Sequence, residues 1–153
     1  MLNIGDKAPS FLLFDSDLKE FSQESFEGKN YVLFFYPKDD TPGCTIESQD
    51  FSRLKKKFES YNTIVLGVSL DSSESHCNFR DKYKLEVPLL ADVKGTLSSS
   101  YDVLIKNKSN DGDTIKIIRS TFIIDAIGII KHAFYNVSPK GHATEILNLV
   151  KNL

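Results

Sequence analysis

Six consecutive apolar residues, Tyr31-Val32-Leu33-Phe34-Phe35-Tyr36, run without a break into Pro37. A strand with one wet face alternates apolar and polar side chains, whereas a run with no polar member must be covered on both faces, as in the centre of a layered sheet. Pro37 ends the run because proline cannot donate to a strand ladder. The next segment changes period: Phe51, Leu54, Phe58 and Tyr61 recur at spacings of three and four, which predicts one amphipathic helix from about Cys44 to Ser60. Thr63 to Leu70 is again strand-like, and Ser72-Ser73-Glu74-Ser75 reads as the start of a helix leading through Phe79 and Tyr83. This alternation implies parallel strands with helices packed on the faces of the sheet.

The flanking segments complete an α/β layout. Phe11-Leu12-Leu13-Phe14, the turn Asp15-Ser16-Asp17 and a brief strand reaching Phe21 predict an N-terminal β-hairpin. Pro88-Leu89-Leu90 is a short strand and Thr96 to Tyr101 a short helix, while residues 106–113 are a polar loop. Thr121 to Asp125 and Ile129 to Phe134 pair as an antiparallel hairpin across Ala126-Ile127-Gly128. Ala143, Ile146, Leu147 and Val150 mark one face of a closing helix. With no repeat and no linker, residues 1–153 are expected to form a single domain, a mixed central sheet flanked by helices.

Charge narrows the function classes. Nineteen lysines and arginines against 21 aspartates and glutamates leave a net charge of -2, which offers no field to hold nucleic acid. The Lys55-Lys56-Lys57 run belongs on the solvated face of its helix. No apolar stretch reaches the ~20 residues of a membrane span, and Met1 to Ser10 lacks the core of a signal peptide, so a cytoplasmic location is expected. The chain has two cysteines; in a reducing compartment such a pair is more often catalytic or metal-binding than structural.

Pro37-Lys38-Asp39-Asp40-Thr41-Pro42-Gly43-Cys44 joins the buried strand to the start of the expected helix. A thiol there meets unpaired backbone N–H groups and the positive end of the helix dipole, which favour the nucleophilic thiolate. Pro37 and Pro42 stiffen the loop, Gly43 allows close backbone approach, and the Thr41 hydroxyl both donates and accepts hydrogen bonds. Singly, each is ordinary turn chemistry, and a threonine ahead of a helix is often just a cap. Arg119, taken alone, is a surface charge on a strand.

As a set these residues resemble the Pro-x-x-x-Thr-x-x-Cys signature of the peroxiredoxins, most closely the bacterioferritin-comigratory-protein or peroxiredoxin Q branch. The stretch Phe35-Tyr36-Pro37-Lys38-Asp39-Asp40-Thr41-Pro42-Gly43-Cys44-Thr45 carries the likeness, with Glu47 where peroxiredoxins often have a glutamate. It extends from Gly5-Asp6-Lys7-Ala8-Pro9 through Gly67-Val68-Ser69 and Glu74-Ser75-His76 to Arg119-Ser120-Thr121-Phe122. The resemblance implies a thioredoxin-like fold with an N-terminal extension and a thiol peroxidase, in which Cys44 attacks hydrogen peroxide or an organic hydroperoxide. It makes Arg119 the active-site arginine, since that residue immediately precedes the Ser-Thr-Phe strand. Asp39 and Asp40 by themselves disfavour a neighbouring thiolate, so a fixed cation such as arginine is needed. The guanidinium, the Thr41 hydroxyl and the helix-start N–H groups would stabilise charge on the leaving oxygen. No cofactor and no metal is implied; the expected partners are the peroxide and a thioredoxin-like dithiol reductant, and the expected assembly is a monomer or weak homodimer.

The pattern also departs from that branch. Many members carry a resolving cysteine five residues after the first, where this chain has Gln49. Some carry it on the helix expected here from Ser73, about one turn beyond Cys77, near Arg80. Cys77 is therefore the expected resolving cysteine, with a one-cysteine enzyme served by an external thiol as the alternative; the bland reading is a half-buried packing residue. A Cys-x-x-Cys oxidoreductase is ruled out by Thr41 and Glu47, which stand where its second cysteine would be. Cys44, Cys77, His76, His132 and His142 match no zinc spacing, and the histidines are read as surface residues. A non-catalytic binding protein on the same fold is the remaining rival.

Overall fold

A computed structural model describes residues 1–153. The chain opens with a hairpin of β1 (Leu12–Phe14) and β2 (Glu20–Ser22), antiparallel as expected, followed by a 3-10 turn at Gln23–Phe26. β3 (Asn30–Phe35) leads through the cysteine loop into α1 (Pro42–Arg53) and α2 (Lys55–Ser60). β4 (Thr63–Ser69), α3 (Ser73–Tyr83), β5 (Leu89–Ala91) and α4 (Thr96–Ser100) come next. A small hairpin of β6 (Leu104–Asn107) and β7 (Thr114–Ile117) precedes β8 (Ser120–Ile124), β9 (Ile130–Phe134) and α5 (His142–Val150).

The main sheet has the order β5-β4-β3-β8-β9. β3 runs parallel to β4 and β4 to β5, while β8 is antiparallel to both β3 and β9. The apolar run thus lies in the middle strand, and its alternate residues serve opposite layers. Val32, Phe34 and Tyr36 pack with Phe51, Leu54 and Phe58 beneath α1 and α2 and with Ile146, Leu147 and Val150 of α5. Tyr31, Leu33 and Phe35 pack on the other side with Phe26, Leu97, Tyr101 and Phe122. Burying side chains of this size contributes roughly 1.5–3 kcal/mol each, so β3 is the element that fixes both layers. No helix is long and apolar enough to cross a membrane.

Two expectations need correction. The helix expected over residues 44–60 starts at Pro42 and is two helices, because Leu54 leaves the helical region at φ -94° and ψ 2°. The interruption adjoins Ser52, whose hydroxyl accepts the amides of Glu86 and Val87 and ties the end of α1 to the chain beyond α3. Phe51, Leu54 and Phe58 are buried as expected, but Tyr61 lies just past the end of α2, off the stripe, and is 41% exposed. The polar loop expected at residues 106–113 is shorter, since Lys106 and Asn107 belong to β6. That hairpin gives no alternating pattern because only Ile117 among its strand residues is buried.

Candidate active site

The loop between β3 and α1 is set by its backbone. Pro42 takes the first helical position, where a missing N–H costs nothing. Thr41 occupies the capping position with extended geometry, yet its hydroxyl makes no capping bond and instead donates to Lys38 O at 2.8 Å. The Thr41 carbonyl accepts both the amide and the hydroxyl of Thr45, at 2.9 and 2.8 Å. Thr41 thereby closes the loop on itself and opens the helix. Cys44 lies in the first turn, among the amides that have no helical partner. Pro37 stands half-buried at the exit from the sheet.

Strand register brings Arg119 to this place. Phe35 pairs with Ser120 across the antiparallel β3–β8 ladder, so the residue before β8 meets the start of the loop that follows β3. The Arg119 carbonyl accepts the Val137 amide at 2.9 Å. Its guanidinium divides its donors: Nη2 donates to Cys44 Sγ at 3.3 Å and Nη1 to Glu47 Oε1 at 2.7 Å. The side chain is 14% exposed. Arg119 is thus an inner residue of the site, unlike the surface charge a bare reading suggests. Burial opposes its charge, but Glu47 and then Cys44 outweigh that and hold its pKa above the ordinary arginine value. A Cβ on Gly43 would stand 3.1 Å from Arg119 Nη2 and 3.3 Å from Pro139 Cγ, so any larger residue there makes the guanidinium or the proline give by a few tenths of an ångström.

Glu47 follows Cys44 by three residues and shares its helix face. It is fully buried, and its Oε2 has no partner. Burial pushes its pKa up to about 7 against the opposing pull of Arg119. Near neutral pH, Glu47 therefore exchanges between a carboxylate that offsets the guanidinium charge and a neutral acid that does not.

The two aspartates of the loop turn away to α3. Asp39 accepts from Tyr36 OH at 2.6 Å, from Ser75 Oγ at 2.8 Å and from His76 Nδ1 at 2.7 Å, and its amide donates to Asp71 Oδ2. Asp40, with φ 59°, accepts from Lys82 Nζ at 2.8 Å and Tyr83 OH at 2.6 Å. Those two donors hold its carboxyl below the usual range. Their opposition to a thiolate at Cys44, expected from proximity in sequence, is thus offset by donors of their own.

Cys77 is on α3, half-buried, with Sγ 3.8 Å from Asp81 Oδ2 and 3.4 Å from Arg80 Nη2. Arg80 also donates to Ser16 and Asp17 in the turn of the N-terminal hairpin. Cys44 and Arg119 are thus gathered with Glu47, whereas the Thr41 hydroxyl is engaged with Lys38 O and Cys77 has a separate environment; both cysteines are free thiols.

The histidines are not the surface residues expected. His76 is wholly buried, its Nε2 3.0 Å from Leu90 O, and His142 is buried with Nε2 2.8 Å from Thr121 Oγ1. Burial lowers the pKa of His142 and of half-buried His132. Ligand atoms of Asp39, Asp71 and His76 lie within 4.8 Å of one another. They are already engaged with each other and with Tyr36, Ser69 and Ser75, which describes a hydrogen-bond network. Sequence reasoning noted Glu47 without its role as partner of Arg119; spacing from Cys44 was the signal. Nothing in the sequence linked Asp39 to His76.

A model of the AhpC/TSA family matches residues 4–133. A bcp protein of Helicobacter pylori is 44% identical over 146 residues, 95% of this chain and 96% of that one. Peroxiredoxin Bcp of Bacillus subtilis is 36% identical over 152 residues, 99% of this chain and 97% of that one. In the solved structure of Xylella fastidiosa PrxQ, the match has a TM-score of 0.92 with 36% identity, covering 99% of this chain and 97% of that one.

Proposed function

The chain belongs to the AhpC/TSA family as a thiol peroxidase of the Bcp or peroxiredoxin Q kind, and on that premise we propose a two-cysteine cycle begun by Cys44 and resolved by Cys77. The observation that carries the first half is the Arg119 guanidinium, which touches Cys44 Sγ and Glu47 together. A cation fixed beside the sulfur favours the thiolate, and the same donors stabilise charge as the O–O bond lengthens. The thiolate attacks one peroxide oxygen; an S–O bond forms, the O–O bond breaks, and the leaving oxygen takes a proton to depart as water or an alcohol. Cys44 becomes a sulfenic acid. Thr41 and Pro37 shape the loop around the sulfur, and residues 1–153 act as one catalytic domain.

Cys77 then attacks the oxidised sulfur. The S–S bond forms as the S–O bond breaks, hydroxide leaves as water after taking a proton, and a thioredoxin-like dithiol reduces the disulfide. Hydrogen peroxide and organic hydroperoxides are the substrates, and the reducing cytosol is the setting. Cys77 supports this reading as the second free thiol of the chain, half-buried on α3. Peptide mapping after one equivalent of peroxide tests the scheme. A Cys44–Cys77 disulfide is expected in the wild type, and no turnover in Cys44→Ser with its fold retained. A free Cys77 beside unimpaired turnover with a dithiol would establish the one-cysteine route served by an external thiol.

A further inference from the structure

Asp39 and Asp40 are consecutive, charged and unused by the chemistry above, yet both are fully engaged, and their side chains reach the same helix. Asp39 is 7% exposed and accepts Ser75 and His76 from the first turns of α3 as well as Tyr36 from the end of β3. Asp40 accepts Lys82 and Tyr83 from the last turn of the same helix. Its positive φ, which aspartate tolerates better than most residues, turns the loop between the two. The anchors therefore grip α3 at both ends, and Cys77 lies between them.

A disulfide needs Cα atoms within about 7 Å and sulfurs in contact. Cys44 Sγ is buried against Arg119, whereas Cys77 Sγ faces Arg80 and Asp81. Bringing the sulfurs together requires part of α3 or of the cysteine loop to open. Opening of α3 at either end pulls on the Asp39 or Asp40 bonds, because these join it to the loop. We propose that Asp39 and Asp40 clamp α3 to the loop that carries Cys44, hold α3 closed in the reduced enzyme, and so set the rate at which Cys77 is released to the oxidised sulfur. They are positioning residues for the second step and do not act in the first. The kinetic part rests on Cys77 being the resolving thiol, while the closed state of α3 is measurable without it.

Asp39→Asn is the direct test, and the double variant Lys82→Met with Tyr83→Phe removes the other anchor without leaving the buried His76 unpaired. In the reduced protein, hydrogen exchange of the Ser73–Tyr83 amides and alkylation of Cys77 are expected to quicken about tenfold in Asp39→Asn, the scale of losing one charge-assisted hydrogen bond, and about two- to threefold in the double variant, whose Lys82–Asp40 pair is exposed. After one equivalent of peroxide, disulfide formation should quicken by a similar factor. Overoxidation of Cys44 should need a correspondingly higher peroxide dose. An unchanged midpoint of urea unfolding in the same variants separates this local release from general destabilisation. Exchange and disulfide rates unchanged in both variants, beside a normal wild-type disulfide, would overturn the clamp alone. A wild-type protein that forms no Cys44–Cys77 disulfide would overturn the resolving role of Cys77 and the kinetic part of the clamp with it.

Discussion

Replacing Glu47 by glutamine isolates the one buried carboxyl that shares the Arg119 guanidinium with Cys44. Glu47 holds its proton to about pH 7 in the fold, against 4.5 for the ordinary side chain. Between those values the folded chain keeps a proton that the unfolded chain has released, so stability falls as pH rises through the window. Each pH unit of that interval costs about 1.4 kcal/mol, and integration between pH 5 and 8 gives about 2.5 kcal/mol for this one group. The glutamine variant has no such titration. Urea unfolding of both proteins at pH 5 and pH 8 provides the measurement, and the difference between the two pH dependences cancels every other titrating group. The wild type should lose about 2.5 kcal/mol more than the variant. Agreement of the two pH dependences to within about 0.5 kcal/mol, the scatter of a neutral substitution, would show that Glu47 stays ionised throughout.

Other perturbations read the same site from different sides. Arg119→Met should lower the second-order rate of Cys44 with peroxide by about 10²–10³, measured by competition or stopped flow; Arg119→Lys should recover only part, since a single ammonium lacks the fork that serves sulfur and carboxylate together. Gly43→Ala should slow the same step about ten- to a hundredfold by displacing the guanidinium, with melting temperature as the control. Gly67→Ala should leave peroxide chemistry intact but cost about 1–3 kcal/mol in urea unfolding, because its Cβ would stand 2.7 Å from Phe34 and 2.9 Å from Leu89.

The parts of this molecule legible in the sequence are those written in hydrophobic period. Tyr31 to Tyr36 announced a strand covered on both faces, and the closing helix showed its buried side through Ala143, Ile146, Leu147 and Val150, all buried. The N-terminal and β8–β9 hairpins were equally visible, each from a turn between apolar runs. The β6–β7 hairpin was not, because a pair that projects into solvent has no face to hide and leaves no pattern. The interruption at Leu54 adjoins Ser52, whose hydrogen bonds from Glu86 and Val87 are contacts that no local window contains. The same division runs through the site. Cys44 and the loop before it were conspicuous, but Arg119 drew notice through resemblance alone, since its place comes from the pairing of Phe35 with Ser120, far apart in the chain. Asp39 and His76 are likewise joined only by the fold, and the partnership between Glu47 and Arg119 required knowing which way one helix faces.

The completeness with which Cys44 is covered has a bearing on selectivity. The residue has no accessible surface, so any reagent as large as a water molecule must first displace a neighbour, with Arg119 and Pro139 both pressed close to the adjoining Gly43. A thiol activated in the open would react with whatever electrophile diffused past. Behind such a roof, visitors are sorted by how brief and how small an opening they need before charge or hydrogen bonding plays any part. A compact oxidant needs a smaller opening than a bulky alkylating agent does, so burial by itself ranks the reagents that can reach this thiol by their size.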